Sequence, residues 1–149
     1  MIHIYISIND QLLQLCEGDE VLDEYMISSS ANGVGYKEGS HCTPMGRFEI
    51  SEKIGTTAEI GTIFKSRKPV GIWQGKESDE DMVLTRILRL NGLDPQNANS
   101  MDRYIYIHGT NQEHYLGQPK SCGCIRMSNS DVIDLYNRVG EGTPLVISI

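Results

Sequence analysis

At 149 residues, with 39% apolar side chains, the chain is long enough for one domain, 1–149, with its own core. A formal net charge of −7 and the lack of any basic stripe argue against a nucleic-acid partner, because nothing is there to neutralise phosphates. Four cysteines do not make a disulfide scaffold, and no apolar run approaches the about 18 residues of a membrane span.

The opening MIHIYISIND alternates, so Ile2, Ile4, Ile6 and Ile8 share one face of an extended segment. It lacks a basic start and a continuous apolar stretch, so it does not read as a signal peptide. Either the protein stays inside, or an export segment lies outside this sequence. QLLQLC, the turn-like EGDE and VLDEYMIS then suggest a hairpin. Residues 28–46 are polar and glycine-rich and read as a long loop. Its Gly33-Val34-Gly35 lacks the third glycine and following helix of a phosphate-binding loop.

RFEISEKI restores a short strand. Residues 55–80 read as loop, with KSRK at 65–68 as a solvated stretch and Trp73 as a local core anchor. Residues 82–90, MVLTRILRL, are ambiguous. Val83, Leu84, Ile87 and Leu88 fit a helical face with Ser78 and Asp81 as a capping box, while the β-branched content fits a strand equally well. RYIYIHG alternates and predicts a strand ending at His108 and Gly109. Ser128 and Asp131 form a capping signature, followed by Val132, Leu135, Tyr136 and Val139 at helical spacing, with Gly140 closing the helix. PLVISI predicts a last strand, placed beside the first.

Chemistry concentrates in the last third. A cysteine nucleophile needs a base to take its proton, since the thiolate is the reactive species. His108 ends a predicted strand sixteen residues before Cys124 in the segment Ser121-Cys122-Gly123-Cys124. Gly123 lets the backbone turn sharply and aim N–H groups at a developing oxyanion. The bland reading of such a pair is a satisfied histidine and a buried thiol. Zinc held by Cys122, Cys124 and His108 fits poorly, because structural sites space cysteines by two to four residues and no second pair follows. A Cys122–Cys124 disulfide would close a strained, labile ring. Cys42 reads as a thiol that approaches this region or stays free, and Cys16 as an inert core residue.

The residues around the pair carry a resemblance. His108-Gly109-Thr110, a loop, then Ser121-Cys122-Gly123-Cys124-Ile125-Arg126-Met127 is similar to the His-Gly-Thr and Ser-His-Gly-Cys-Ile-Arg-Met pattern of the L,D-transpeptidase catalytic domain. This is the YkuD-type family of peptidoglycan enzymes. TPMGRF at 43–48 and LTRILRLNGLD upstream of the His108 strand resemble that family as well, and tip residues 82–90 toward a strand.

The resemblance implies a mainly β fold, a mixed β-sandwich or distorted barrel with one late α-helix. It implies that Cys124 attacks the carbonyl between the third and fourth residues of a peptidoglycan stem tetrapeptide. His108 would act as base, the Gly109 carbonyl would orient the imidazole, and backbone N–H groups of Gly123 and Cys124 would form the oxyanion hole. Arg126, Ser121, Cys122, Thr110 and Tyr106 are expected along the substrate, with Arg126 on a stem carboxylate or in a salt bridge, and with loop hydrogen-bonding as the alternative for Thr110 and Ser121. His114 and Tyr115 line the cleft or lie in solvated loop.

No cofactor or metal is implied, and the cell envelope is the implied location. Hydrolysis, as an L,D-carboxypeptidase or a wall-protein-releasing enzyme, and a non-catalytic binding or redox module are the alternatives. One departure stands out: the family's histidine two before the nucleophile is Cys122 here.

Overall fold

The computed structural model describes all residues 1–149. Ten strands run β1 (Ile2–Ser7), β2 (Leu12–Glu17), β3 (Glu20–Ser28), β4 (Gly46–Ile54), β5 (Thr62–Lys65), β6 (Lys68–Ile72), β7 (Val83–Gly92), β8 (Tyr106–Gly109), β9 (Ile125–Met127) and β10 (Pro144–Ser148). One helix, α1 (Asn129–Arg138), interrupts them. The sheet order is β4-β10-β1-β2-β3-β9-β8-β7-β5-β6, and β4 also pairs with β7. Eight strands therefore close into a distorted barrel, with the β5–β6 hairpin hanging from β7. No helix is long and apolar enough to cross a membrane.

The alternation in β1 does what its period dictates: Ile4 and Ile6 are fully buried and Ile2 and Ile8 pack at the margin of the same core. β2 and β3 form the expected hairpin, and β10 lies parallel to β1. The helix starts where the Ser128 hydroxyl accepts the Asp131 N–H. Val132, Leu135 and Tyr136 join Leu88, Ile107 and Ile125 in the main core. Each such side chain contributes about 1.5–3 kcal/mol by burial, so the helix is held chiefly by its apolar face.

Residues 83–92 form a strand, not a helix. Pairing to β4, β5 and β8 satisfies its backbone from both sides, which a helical face there would forfeit. The stretch 55–80 is not all loop: Ser66 and Arg67 of KSRK make the tight turn of the β5–β6 hairpin, both at positive φ. Trp73 is no core anchor. It is half-buried, outside both apolar clusters, with its indole N–H on the Lys76 carbonyl.

The barrel wall sets the stage for the site. β8 and β9 run parallel, with His108 opposite Arg126 and Ile107 opposite Ile125. Side chains alternate across a strand. Ile107, Ile125 and Met127 therefore point into the main core, and Tyr106, His108 and Arg126 take the outer face. On that face Tyr106 packs with Phe64 and Ile87, and Cys124 packs against them.

Candidate active site

Cys124 immediately precedes β9 and is half-buried. Its Sγ accepts the Tyr106 N–H and donates to the Tyr104 carbonyl, each at 3.4 Å. The turn that delivers it is built by Ser121. The Ser121 hydroxyl donates to the Cys124 carbonyl at 2.7 Å and accepts the Gly123 N–H at 3.2 Å. Gly123 sits at φ 127°, a conformation that strains any residue with a Cβ. Thr43, from the TPMG segment, donates to the Gly123 carbonyl at 2.9 Å. Arg103 donates to the Cys42 and Gly35 carbonyls and so holds the 33–43 loop against the same turn.

His108 is 1% exposed. Its Nδ1 lies 2.6 Å from the Gly109 carbonyl, and a carbonyl can only accept, so Nδ1 carries the proton and Nε2 is the free lone pair. Burial lowers the pKa of His108, with the nearby Asp81 charge opposing that effect and Arg126 adding to it. The imidazole is therefore neutral around pH 7. Burial pushes the Cys124 thiol up to about 12, the Tyr106 N–H opposing it and Asp81 adding to it. No hydrogen bond joins Cys124 to His108. At rest the thiol and the imidazole are both neutral and unbonded to each other, and the thiol must turn from Tyr104 to meet a base.

Four of the five residues expected along the substrate have no open side chain. Arg126 is 0% exposed; its guanidinium is spent on Asp81 at 3.2 Å, Gln112 at 2.6 Å and Ser28 at 3.0 Å. The carboxylate it meets belongs to the protein, which is what makes its burial tolerable. Thr110 is fully buried and accepts the Gln112 N–H. Ser121 is the turn-builder described above. The Tyr106 ring packs in the small outer cluster that Cys124 borders, its hydroxyl accepts from Arg67, and its backbone N–H reaches the thiol.

Cys122 alone is exposed, and it edges a cleft of about 270 Å³ with Glu38, His41, Arg103 and Tyr104. His114 and Tyr115 face a different cleft, of about 420 Å³, with Trp73 and Asp79.

All four cysteines are free, and Cys16 is buried in β2. No group of three or more His, Cys, Asp or Glu side chains is placed to hold a metal. The Cys124 N–H meets no protein acceptor, and the Gly123 N–H meets only the Ser121 hydroxyl. The Cys122 N–H is committed elsewhere, to Asp81 at 3.0 Å.

Asp81 is the residue that sequence reasoning missed. In the sequence it figures only with Ser78 in a capping box, under one of the two readings of residues 82–90. Only the closure of the sheet brings it under the 121–124 turn.

Comparison with known proteins agrees with this fold. Residues 2–147 match the family model described as the L,D-transpeptidase catalytic domain, YkuD. The putative L,D-transpeptidase YqjB of Bacillus subtilis is 44% identical over 52 residues, covering 34% of this chain and 30% of that protein. An L,D-transpeptidase structure from Xylanimonas cellulosilytica superposes over 99% of this chain and 60% of its own, at 18% identity and a TM-score of 0.65. L,D-transpeptidase 3 from Mycobacterium tuberculosis, solved with a faropenem-derived adduct, superposes over 99% and 60%, at 19% identity and a TM-score of 0.61. The matched region is thus under a third of the curated relative's length, and the chain spans about three fifths of the solved ones.

Proposed function

The chain belongs to the L,D-transpeptidase catalytic-domain family, and from that premise we propose that it is a cysteine acyltransferase acting on peptidoglycan stem tetrapeptides in the cell envelope. Cys124 is the nucleophile, His108 the base, and the Gly109 carbonyl the group that fixes the imidazole. The observation that carries this reading is the contact of the Tyr106 N–H with Cys124 Sγ at 3.4 Å. It puts the thiol beside the strand that presents His108 two residues further on.

In the first step Sγ attacks the carbonyl carbon between the third and fourth stem residues, and His108 Nε2 takes the thiol proton. A C–S bond forms and the carbonyl electrons move onto oxygen. The Cys124 N–H, which has no other acceptor, and the Gly123 N–H, weakly held by Ser121, receive that oxyanion. Collapse breaks the C–N bond, and the departing D-residue nitrogen takes the proton from His108. An acceptor amine then attacks the thioester, gives its proton to His108, and the proton returns to sulfur.

Because the resting thiol is held near 12, this chemistry proceeds by proton transfer during attack rather than from a stored thiolate. The same raised thiol, unbonded to His108, favours as a second reading a non-catalytic module on this scaffold.

Incubation with purified tetrapeptide muropeptides, followed by mass spectrometry, separates the readings. Loss of the terminal D-residue with an acceptor-linked product supports transfer. Loss without such a product indicates hydrolysis, and unchanged muropeptide indicates the module.

A further inference from the structure

Asp81 lies in the loop just before β7, far in sequence from both reacting residues, with its side chain 16% exposed. One carboxylate oxygen accepts the Cys122 N–H at 3.0 Å and the other pairs with Arg126 at 3.2 Å. Arg126 is the register partner of His108 across β8 and β9. The carboxylate therefore bridges the nucleophile turn to the strand position facing the imidazole. We propose that Asp81 is a positioning residue of this site: it pins the Cys122 N–H, and so fixes where Cys124 and its N–H stand relative to His108. The proposal rests on the acyltransferase reading for its catalytic meaning, but not for its geometry.

Two consequences follow from the bonds. With the Cys122 N–H occupied, the oxyanion donors are reduced to Gly123 and Cys124, whose peptides the Asp81 tie orients. The buried Arg126 cation is neutralised by the same group, so turn geometry and charge balance are linked in one side chain. The Asp81 charge also faces Cys124 and disfavours its ionisation, which keeps the resting thiol quiet. The charged and titratable groups facing this cluster are Arg126, His108, Cys122, Cys124 and, from the 101–104 loop, Arg103.

Time-resolved iodoacetamide labelling at pH 7 with peptide mapping tests this on the intact protein. Asp81→Ala is expected to label Cys124 at least about threefold faster than the wild type, because the turn is released and a like charge removed. Cys16, buried in β2, is the internal control and should not change. Asp81→Asn, which keeps an acceptor oxygen for the Cys122 N–H, should restore most of the protection.

An unchanged Cys124 rate in Asp81→Ala overturns the proposal. So does a parallel rise at Cys16, which would mark general loosening, or a failure of Asn to rescue, which would leave only a charge effect. Should the stranded Arg126 cation prevent folding, the same comparison is made in an Arg126→Met background with the same outcomes. On tetrapeptide, Asp81→Ala should lower kcat about tenfold with KM within about twofold; a rise in KM alone would refute the positioning role. A wild type inactive on tetrapeptide sinks the acyltransferase reading and leaves the labelling result standing.

Discussion

The Gly109 carbonyl accepts a 2.6 Å hydrogen bond from Nδ1 of the residue before it, His108, so one dipeptide supplies both the imidazole and its orienting group. That geometry depends on Gly109 having no side chain. A Cβ there would come 2.7 Å from the Leu84 carbonyl and 3.2 Å from the Thr85 Cβ, and would collide with the Asn129 side-chain oxygen. Asn129 in turn accepts a 2.5 Å bond from the Thr85 hydroxyl and donates to the Thr110 carbonyl, so little there can give way.

Gly109→Ala should therefore cost about 3 kcal/mol of stability and most of the turnover. Gly140→Ala, where a Cβ meets nothing within 4 Å, should stay within about 0.5 kcal/mol. Urea denaturation of the two variants measures the difference. Equal midpoints would mean that the packing around Gly109 relaxes freely.

The pH dependence of kcat/KM follows from the two shifts. His108 must be unprotonated to accept the thiol proton, and burial lowers its pKa below the ordinary imidazole value of 6.5. The acid limb should therefore lie below 6.5, activity rising with pH through it. The thiol ionises only near 12, so the profile should stay flat up to about pH 9. A bell centred near neutrality would instead report a stored thiolate–imidazolium pair.

The same burial predicts a stability effect. A base whose folded pKa is depressed binds protons more readily when unfolded, so His108 weakens the fold as pH falls below 6.5. His108→Gln should flatten the fall in thermal midpoint between pH 6.5 and the acid range. An unchanged slope would assign that fall to other groups.

Labelling of the free protein should follow exposure before mechanism. Cys122 is exposed, whereas Cys124 is half-buried with its ionisation held near 12. Iodoacetamide is expected to reach Cys122 first, and Cys124 only slowly. Fast, selective labelling of Cys124 would show that the free thiol is already activated.

Cys122→His restores the residue that the family pattern carries. The side chain is exposed on a cleft edge while its N–H is tied to Asp81, so a larger ring has open cleft to enter. The thermal midpoint should hold, and turnover should match or exceed the wild type. An inactive Cys122→His alongside an active wild type would mean that the site is rebuilt around a thiol.

The sequence made some of this legible for local reasons. The β1 alternation, the Ser128 cap and the strand carrying His108 are written in short-range periodicity, and the structure follows them. The β5–β6 hairpin was hidden because β6 is exposed along its whole length and shows no apolar alternation. The strand β7 was ambiguous because Leu84, Thr85, Arg86, Ile87 and Leu88 are buried in succession on both faces, so the burial leaves no apolar–polar alternation to read. The burial of Arg126 and the role of Asp81 depend on a contact 45 residues apart. Barrel closure makes that contact, and no local pattern announces it.

The central claim is that Cys124 forms an acyl-enzyme with help from His108, and intact-protein mass spectrometry with a carbapenem tests it most directly. The strained lactam offers a carbonyl to the same sulfur and the same N–H donors. The account predicts a single adduct on the wild type, mapped to Cys124, slower to form in His108→Gln and absent from Cys124→Ala. No adduct on the wild type, or one that persists in Cys124→Ala, would contradict it.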